Sequence, residues 1–246
     1  MAELILAADI SLKKAIDDMQ EEYSADTGDK LKAIYDDSSY MAADIISGKV
    51  SPDVVIPSAM YPVEDLIAAG KVNPALVKPF LSNRLVLIQK SGSGFSNISC
   101  FKYLNEKNFD PSKAKLYMAN PDEPVNIPAG RYTHTVFDYD GNWEFVNAHS
   151  EKLNNTVEVL NTVAESSGPA IGIVYFSDAI TRPDDVSIIG LAPEFVNEQI
   201  IYPIVGINGG KSLTATKFIY HVRTVGVHHF RRRGFVEAAD GATINC

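Results

Sequence analysis

The chain has 246 residues, 46% of them hydrophobic and 22% charged, which suffices for one large globular domain or two small ones. Its 31 acidic residues outnumber its 22 lysines and arginines, and the net charge of −9 argues against a nucleic-acid surface. No apolar run reaches the length of a membrane span, and the two cysteines, Cys100 and Cys246, cannot define a disulfide framework.

The N-terminal MAELILAADIS is too short for a signal peptide and lacks its basic flank, so the chain reads as intracellular or as one whose leader has been removed. Glu3 to Ala8 reads as a buried strand. Ser11 then precedes LKKAIDDMQEEY, where Leu12, Ala15, Ile16, Met19 and Tyr23 recur at helical spacing, and Ser11 is the expected N-cap. Leu31 to Tyr35 is a second strand, followed by Asp36-Asp37-Ser38-Ser39 and the helical YMAADIISG. Asp53 to Pro57 is a third strand, with the helical MYPVEDLIAAG behind it. Asn83 to Gln89 is strongly β-like. The loop KSGSGFSN after it lacks the lysine-plus-hydroxyl ending of a phosphate loop, and INGGKS later has that ending but fails on spacing, because Val205 stands where the first glycine is required.

Phe101 to Asn105 reads as a short helix and Ala114 to Ala119 as a strand. The stretch PDEPVNIPAGRY, Pro121 to Tyr132, leads into a helix. Pro128 suits a first helical turn, and Ala129 and Gly130 add no bulk to shield their N–H groups. Such a start presents unpaired donors and partial positive charge, a small anion site without a basic side chain. Trp143 falls in a connecting segment. Asn155 or Thr156 caps VEVLNTVAESSG, which puts the Val157 amide in the first turn. Ala170 to Phe176 is a buried strand with Tyr175 at its carboxyl end, Val186 to Gly190 and Ile200 to Val205 are further strands, and Ala215 to Phe230 is a final helix. Strand followed by helix, repeated, predicts an α/β fold with mostly parallel sheets, whose ligands bind beyond the carboxyl ends of the strands. The helix starts at Ser11, Ser38, Ala129 and Val157, and Tyr175, all have that position.

Two further chemistries compete with anion binding. The histidines His134, His149, His221, His228 and His229 show neither HxxxH nor HExxH spacing, and Cys100 has no evident catalytic partner, so the chain reads as a binding protein and not an enzyme. The basic cluster His228 to Arg233 reads as a solvated helix end. Asp9, Asp36 and Asp37 offer oxygen ligands for a hard cation as an alternative.

Ile127-Pro128-Ala129-Gly130 with Tyr132, and Gly172-Ile173-Val174-Tyr175 with Ser177-Asp178-Ala179, occur in an order and spacing that resembles the periplasmic molybdate-binding proteins of ABC transporters, the molybdate/tungstate class of type II solute-binding proteins. Ala8 to Ile16, Ser38 to Ile45, Asn83 to Val86 and Tyr202-Pro203 extend the resemblance from about Leu4 to Phe235. It implies a type II periplasmic-binding-protein fold: two α/β lobes, residues 1–82 with 201–246 and residues 83–200, a ligand cleft, and hinge strands near Asn83 and Ile200. It implies molybdate or tungstate held by neutral donors: the hydroxyls of Ser11, Ser38 and Tyr175 and the backbone N–H groups of Ala129 and Val157. It also implies no cofactor or metal ion, a monomer, a periplasmic or extracellular location, and a membrane transporter subunit as partner. Phosphate and sulfate are the alternative oxyanions.

The chain departs from that family at Asp9, Asp36 and Asp37, where small neutral residues are usual. A unit charge about 4 Å from another costs roughly 4 kcal/mol at an effective dielectric of 20. These carboxylates are therefore expected to point away, Asp36 and Asp37 into solvent at a turn and Asp9 toward a helix it caps, with Arg131 also facing solvent. Molybdate or tungstate should then bind more tightly than phosphate. An inward aspartate would move the preference toward anions that carry a proton.

Overall fold

The computed structural model describes residues 2–122, 126–197 and 199–238; Cys246 lies outside them. Contacts divide the chain into two compact units, residues 1–82 with 201–246, and residues 83–200.

The first unit runs β1 (Glu3–Asp9), α1 (Lys13–Thr27), β2 (Lys30–Asp36), α2 (Ser38–Ser47), β3 (Val54–Ile56), α3 (Tyr61–Ala68) and β4 (Lys78–Ser82). The second holds β5 (Leu85–Lys90), β6 (Lys115–Ala119), α4 (Pro128–Tyr139), α5 (Trp143–His149), β7 (Ser150–Leu153), α6 (Thr156–Glu165), β8 (Ala170–Tyr175), α7 (Phe176–Ala179), β9 (Val186–Leu191) and α8 (Glu194–Asn197). The chain then returns to the first unit with β10 (Ile201–Gly206), α9 (Ser212–Thr224), α10 (Val227–Arg232) and β11 (Val236–Glu237).

The first sheet has the order β11-β4-β10-β3-β1-β2 and the second β7-β6-β8-β5-β9. Both are mixed, not mostly parallel. β1 pairs in parallel with β2 and β3, and β6 with β7 and β8, whereas β10 and β5 run antiparallel to both of their neighbours. The parallel groups matter for the site, because they carry their carboxyl ends to one edge of each sheet.

Apolar faces pack as their periodicity requires. Ala15, Ile16, Met19 and Tyr23 of α1 are fully buried, as are Leu4, Leu6, Ala7 and Ala8 of β1. In the second unit α6 lies close on β8 because Gly172 has no side chain: a Cβ there would come within 2.6 Å of Val163 Cγ2.

Candidate functional site

In the first unit the parallel register sets Asp9 beside Asp36 and Ala8 beside Ile56, so β1, β2 and β3 end together. Each is followed by a serine: Ser11, Ser38 and Ser58. Ser11 is not the N-cap expected of it. It sits in a single 3-10 turn, Ile10–Leu12, whose cap is Asp9; the Asp9 carboxylate accepts from Ser11 N at 3.1 Å. The same carboxylate accepts from the Ser11 hydroxyl at 2.6 Å and from the Ser38 hydroxyl at 2.5 Å. Ser38 Oγ also accepts from Ser58 N at 2.8 Å and lies 3.1 Å from Ser58 Oγ, and Ser11 Oγ lies 3.0 Å from Tyr202 Oη. The two serines are thus brought together, and what joins them is a carboxylate.

This corrects the expectation for Asp9. The residue does cap its short helical turn, but with 2% exposure it does not point away; it accepts from both serine hydroxyls. Asp37 is corrected as well. It caps α2 by accepting from Ser39 N at 2.9 Å, and it is buried at 4% exposure instead of facing solvent. Burial holds its carboxyl well above the usual carboxylate range, and the charge of Asp9 adds to this. Only Asp36 is exposed; it accepts from Asp37 N at 2.8 Å. Among the described residues, the groups whose carboxylate and imidazole atoms converge as metal ligands lie around Glu22, not at these three aspartates.

In the second unit β6, β7 and β8 bring α4, α6 and Tyr175 to one edge, with Ala119 beside Leu153. Ala129 and Gly130 are buried in the first turn of α4, where no carbonyl of the helix itself can accept their N–H groups. Glycine is required at position 130 because a Cβ would stand 2.7 Å from Ala119 O and from backbone atoms of Asn120 and Pro121. Arg131 is exposed. Asn155 caps α6 by accepting from Glu158 N at 2.8 Å, and the half-buried Val157 occupies its first turn. Thr156 donates to Asp178 at 2.7 Å, both buried, which ties that turn to α7 just beyond Tyr175. Tyr175 is 2% exposed, and Asn83 Nδ2 donates to Ser177 Oγ at 2.8 Å beside it.

The sequence profile of bacterial extracellular solute-binding proteins matches residues 4–236, nearly the whole chain. The chain belongs to this family. No curated protein sequence matches it. Solved structures similar to this solute-binding protein include a Clostridium difficile protein described as the substrate-binding domain of a molybdenum ABC transporter, with a TM-score of 0.74 and 24% identity over 97% of this chain and 100% of that one. The Azotobacter vinelandii periplasmic molybdate-binding protein has a TM-score of 0.77 and 15% identity over 95% and 98% of the two chains. The sulfate-binding protein SubI of Mycobacterium tuberculosis has a TM-score of 0.77 and 17% identity over 98% and 89%. The two mixed α/β sheets of this solute-binding protein thus have the periplasmic-binding-protein fold.

Several residues of the site were not singled out as such from sequence. Ser58 carried a signal, being the third serine placed just past a strand of the same parallel group. Thr156 and Asp178 were named only as a cap and as part of a motif; their contact spans 22 positions and depends on how α6 lies over β8.

Proposed function

We propose that this solute-binding protein captures a small tetrahedral oxyanion, molybdate or tungstate, and delivers it unchanged, as a periplasmic monomer, to the membrane subunit of an ABC transporter. The proposed donors are the hydroxyls of Ser11, Ser38 and Tyr175 and the N–H groups of Ala129 and Val157. The observation that carries this reading is the pairing of Ser11 and Ser38 on a single anionic acceptor, Asp9. Two hydroxyls that follow different strand ends, those of Ser11 and Ser38, already converge on one negative charge. The first turns of α4 and α6, with their free-standing amides, add the same neutral chemistry in the other unit. Names that include molybdenum, molybdate and sulfate among proteins of this fold support an oxyanion as the cargo.

Asp9 itself favours a second reading. A fully deprotonated anion has only acceptors and is repelled by a carboxylate, whereas hydrogen phosphate has an O–H that Asp9 can accept. Competition calorimetry with molybdate, tungstate, sulfate and phosphate separates the readings. Tightest binding of molybdate or tungstate is the expected result, tightest binding of phosphate replaces it with the second, and no binding of any of the four overturns both.

A further inference from the structure

Helices α1, α9 and α10 gather five side chains that anion capture does not use. Their ligand atoms form two sets, Glu22 with His228 and His229, and Glu22 with Asp26 and His221, each set within 4.8 Å. His228 Nε2 lies 3.5 Å and His229 Nε2 3.0 Å from the same Glu22 oxygen. In tetrahedral zinc coordination, with bonds of about 2.0–2.1 Å, neighbouring ligand atoms stand about 3.3–3.4 Å apart, between those two distances.

The tautomer of His228 points the same way. Its Nδ1 lies 2.9 Å from the carbonyl oxygen of Val225, which can only accept, so Nδ1 carries the hydrogen. In the neutral ring Nε2 then turns a lone pair toward the Glu22 carboxylate, an arrangement that a proton or a metal ion between the two atoms relieves. A histidine that donates its other N–H to a backbone carbonyl is the usual supporting contact of a metal ligand.

The second set supplies an independent sign. His221 is 6% exposed, and its Nε2 is buried without a hydrogen-bond partner among the described residues, as is Glu22 Oε1. Buried polar atoms are nearly always satisfied, so both orphans call for a partner. Two arginines of the same segment are already engaged: Arg233 pairs with Asp18 at 2.6 Å and Arg231 with Glu237.

We propose that Glu22, His228 and His229, with Asp26 and His221 adjoining through the shared Glu22, form a binding site for a divalent transition metal of the zinc class. The site is separate from the anion donors. The histidines and carboxylate match zinc chemistry better than calcium or magnesium, which take oxygen ligands.

The test is zinc titration of the untagged, full-length protein by calorimetry, with elemental analysis after dialysis. Wild type is expected to hold at least one zinc per chain with micromolar or tighter affinity and to melt a few degrees higher when saturated. Glu22→Gln, which keeps the side-chain shape, is expected to lose at least about tenfold in zinc affinity, and His228→Ala with His229→Ala more, because ligand loss exceeds the 10–100-fold typical of supporting residues. Molybdate binding should be unchanged in each variant. Wild type without zinc uptake at micromolar concentration, or Glu22→Gln with unaltered affinity, overturns the site. An unaltered affinity in His221→Ala overturns the part given to the second set.

Discussion

Replacing Asp9 with asparagine separates the two oxyanion readings most sharply. In the protein as it stands the Asp9 carboxylate holds the hydroxyls of Ser11 and Ser38 at 2.6 and 2.5 Å. A dianion that recruits those hydroxyls must break two charge-assisted hydrogen bonds, each worth about 1.5–3 kcal/mol, and must sit near a unit negative charge. At about 4 Å and an effective dielectric of 20 that proximity costs roughly 4 kcal/mol per pair of unit charges. Asparagine removes the charge and leaves neutral hydrogen bonds of about 0.5–1.5 kcal/mol. Its oxygen can still accept from Ser11 N and Ser11 Oγ and so keep the cap. Its amide would then donate to Ser38 Oγ, whose own proton can turn to Ser58 Oγ, 3.1 Å away. With screening and partial compensation a net gain of about 2–4 kcal/mol remains for a fully deprotonated anion, roughly thirtyfold to several hundredfold tighter binding. Hydrogen phosphate should gain little or lose affinity, because its O–H loses a charged acceptor. Calorimetry at neutral pH with molybdate and phosphate on Asp9→Asn reads both effects, and a thermal melt verifies the fold. Unchanged or weaker molybdate binding in a variant that melts normally would refute the argument that Asp9 opposes the anion.

Three other substitutions test neighbouring parts of the argument. Gly130→Ala drives a methyl group against backbone at 2.7 Å, so the start of α4 must shift; a loss of about 1–3 kcal/mol in denaturant stability and weaker oxyanion binding are expected. Arg131→Ala should leave oxyanion affinity within about a few-fold, since exposed charge contributes little; calorimetry showing a hundredfold loss would mean a direct ion pair. Asp37 has a carboxyl raised above its ordinary value of 3.8, so the folded protein holds that proton more tightly than the unfolded chain. Its contribution to stability is complete below the ordinary value and is lost as pH rises through the raised one. Melts of Asp37→Asn should therefore fall less steeply between acid and neutral pH than those of wild type.

The elements whose apolar pattern is regular were legible from sequence: β1, α1 with its buried Ala15, Ile16, Met19 and Tyr23, and the fully buried β8. Those missed break that pattern. Ser150–Leu153 reads SEKL and is only partly buried, so nothing local marks it as β7; pairing with β6 makes it a strand. Trp143–His149 was read as a connection, but Val146 buries and α5 packs beside α4. The final helix is two helices, Ser212–Thr224 and Val227–Arg232, and between them Gly226 lies so close to α1 that a Cβ would stand 2.6 Å from Met19 Sδ. Asp36-Asp37 looked like turn chemistry, and Asp37 is indeed an N-cap, but its burial comes from the neighbouring strand ends and is invisible in a single stretch of sequence.

Asp9 shows the same limit and its consequence. The spacing Asp9-Ile10-Ser11 announces a cap, which forms. The contact with Ser38 depends on β1 and β2 ending in register, with Asp9 beside Asp36. Once that register is set, two buried hydroxyls lie at a strand edge and each needs an acceptor, since an unsatisfied buried donor costs about 1–3 kcal/mol. A small neutral residue at position 9 would leave that role to a bound anion. Here Asp9 fills it within the chain, as an internal stand-in for the ligand. With the proposed donors, anion capture becomes an exchange of one anionic acceptor for another, and the exchange is easiest when a proton arrives with the ligand or is already held by Asp37, whose burial and the nearby charge of Asp9 raise its carboxyl. Oxyanion affinity should accordingly increase as pH falls, for as long as the ligand keeps its charge. A calorimetric series across pH in buffers of different ionisation heat reads the protons taken up. Capture with no proton uptake would mean that the serines leave Asp9 without its charge being neutralised, and the stand-in role would fail.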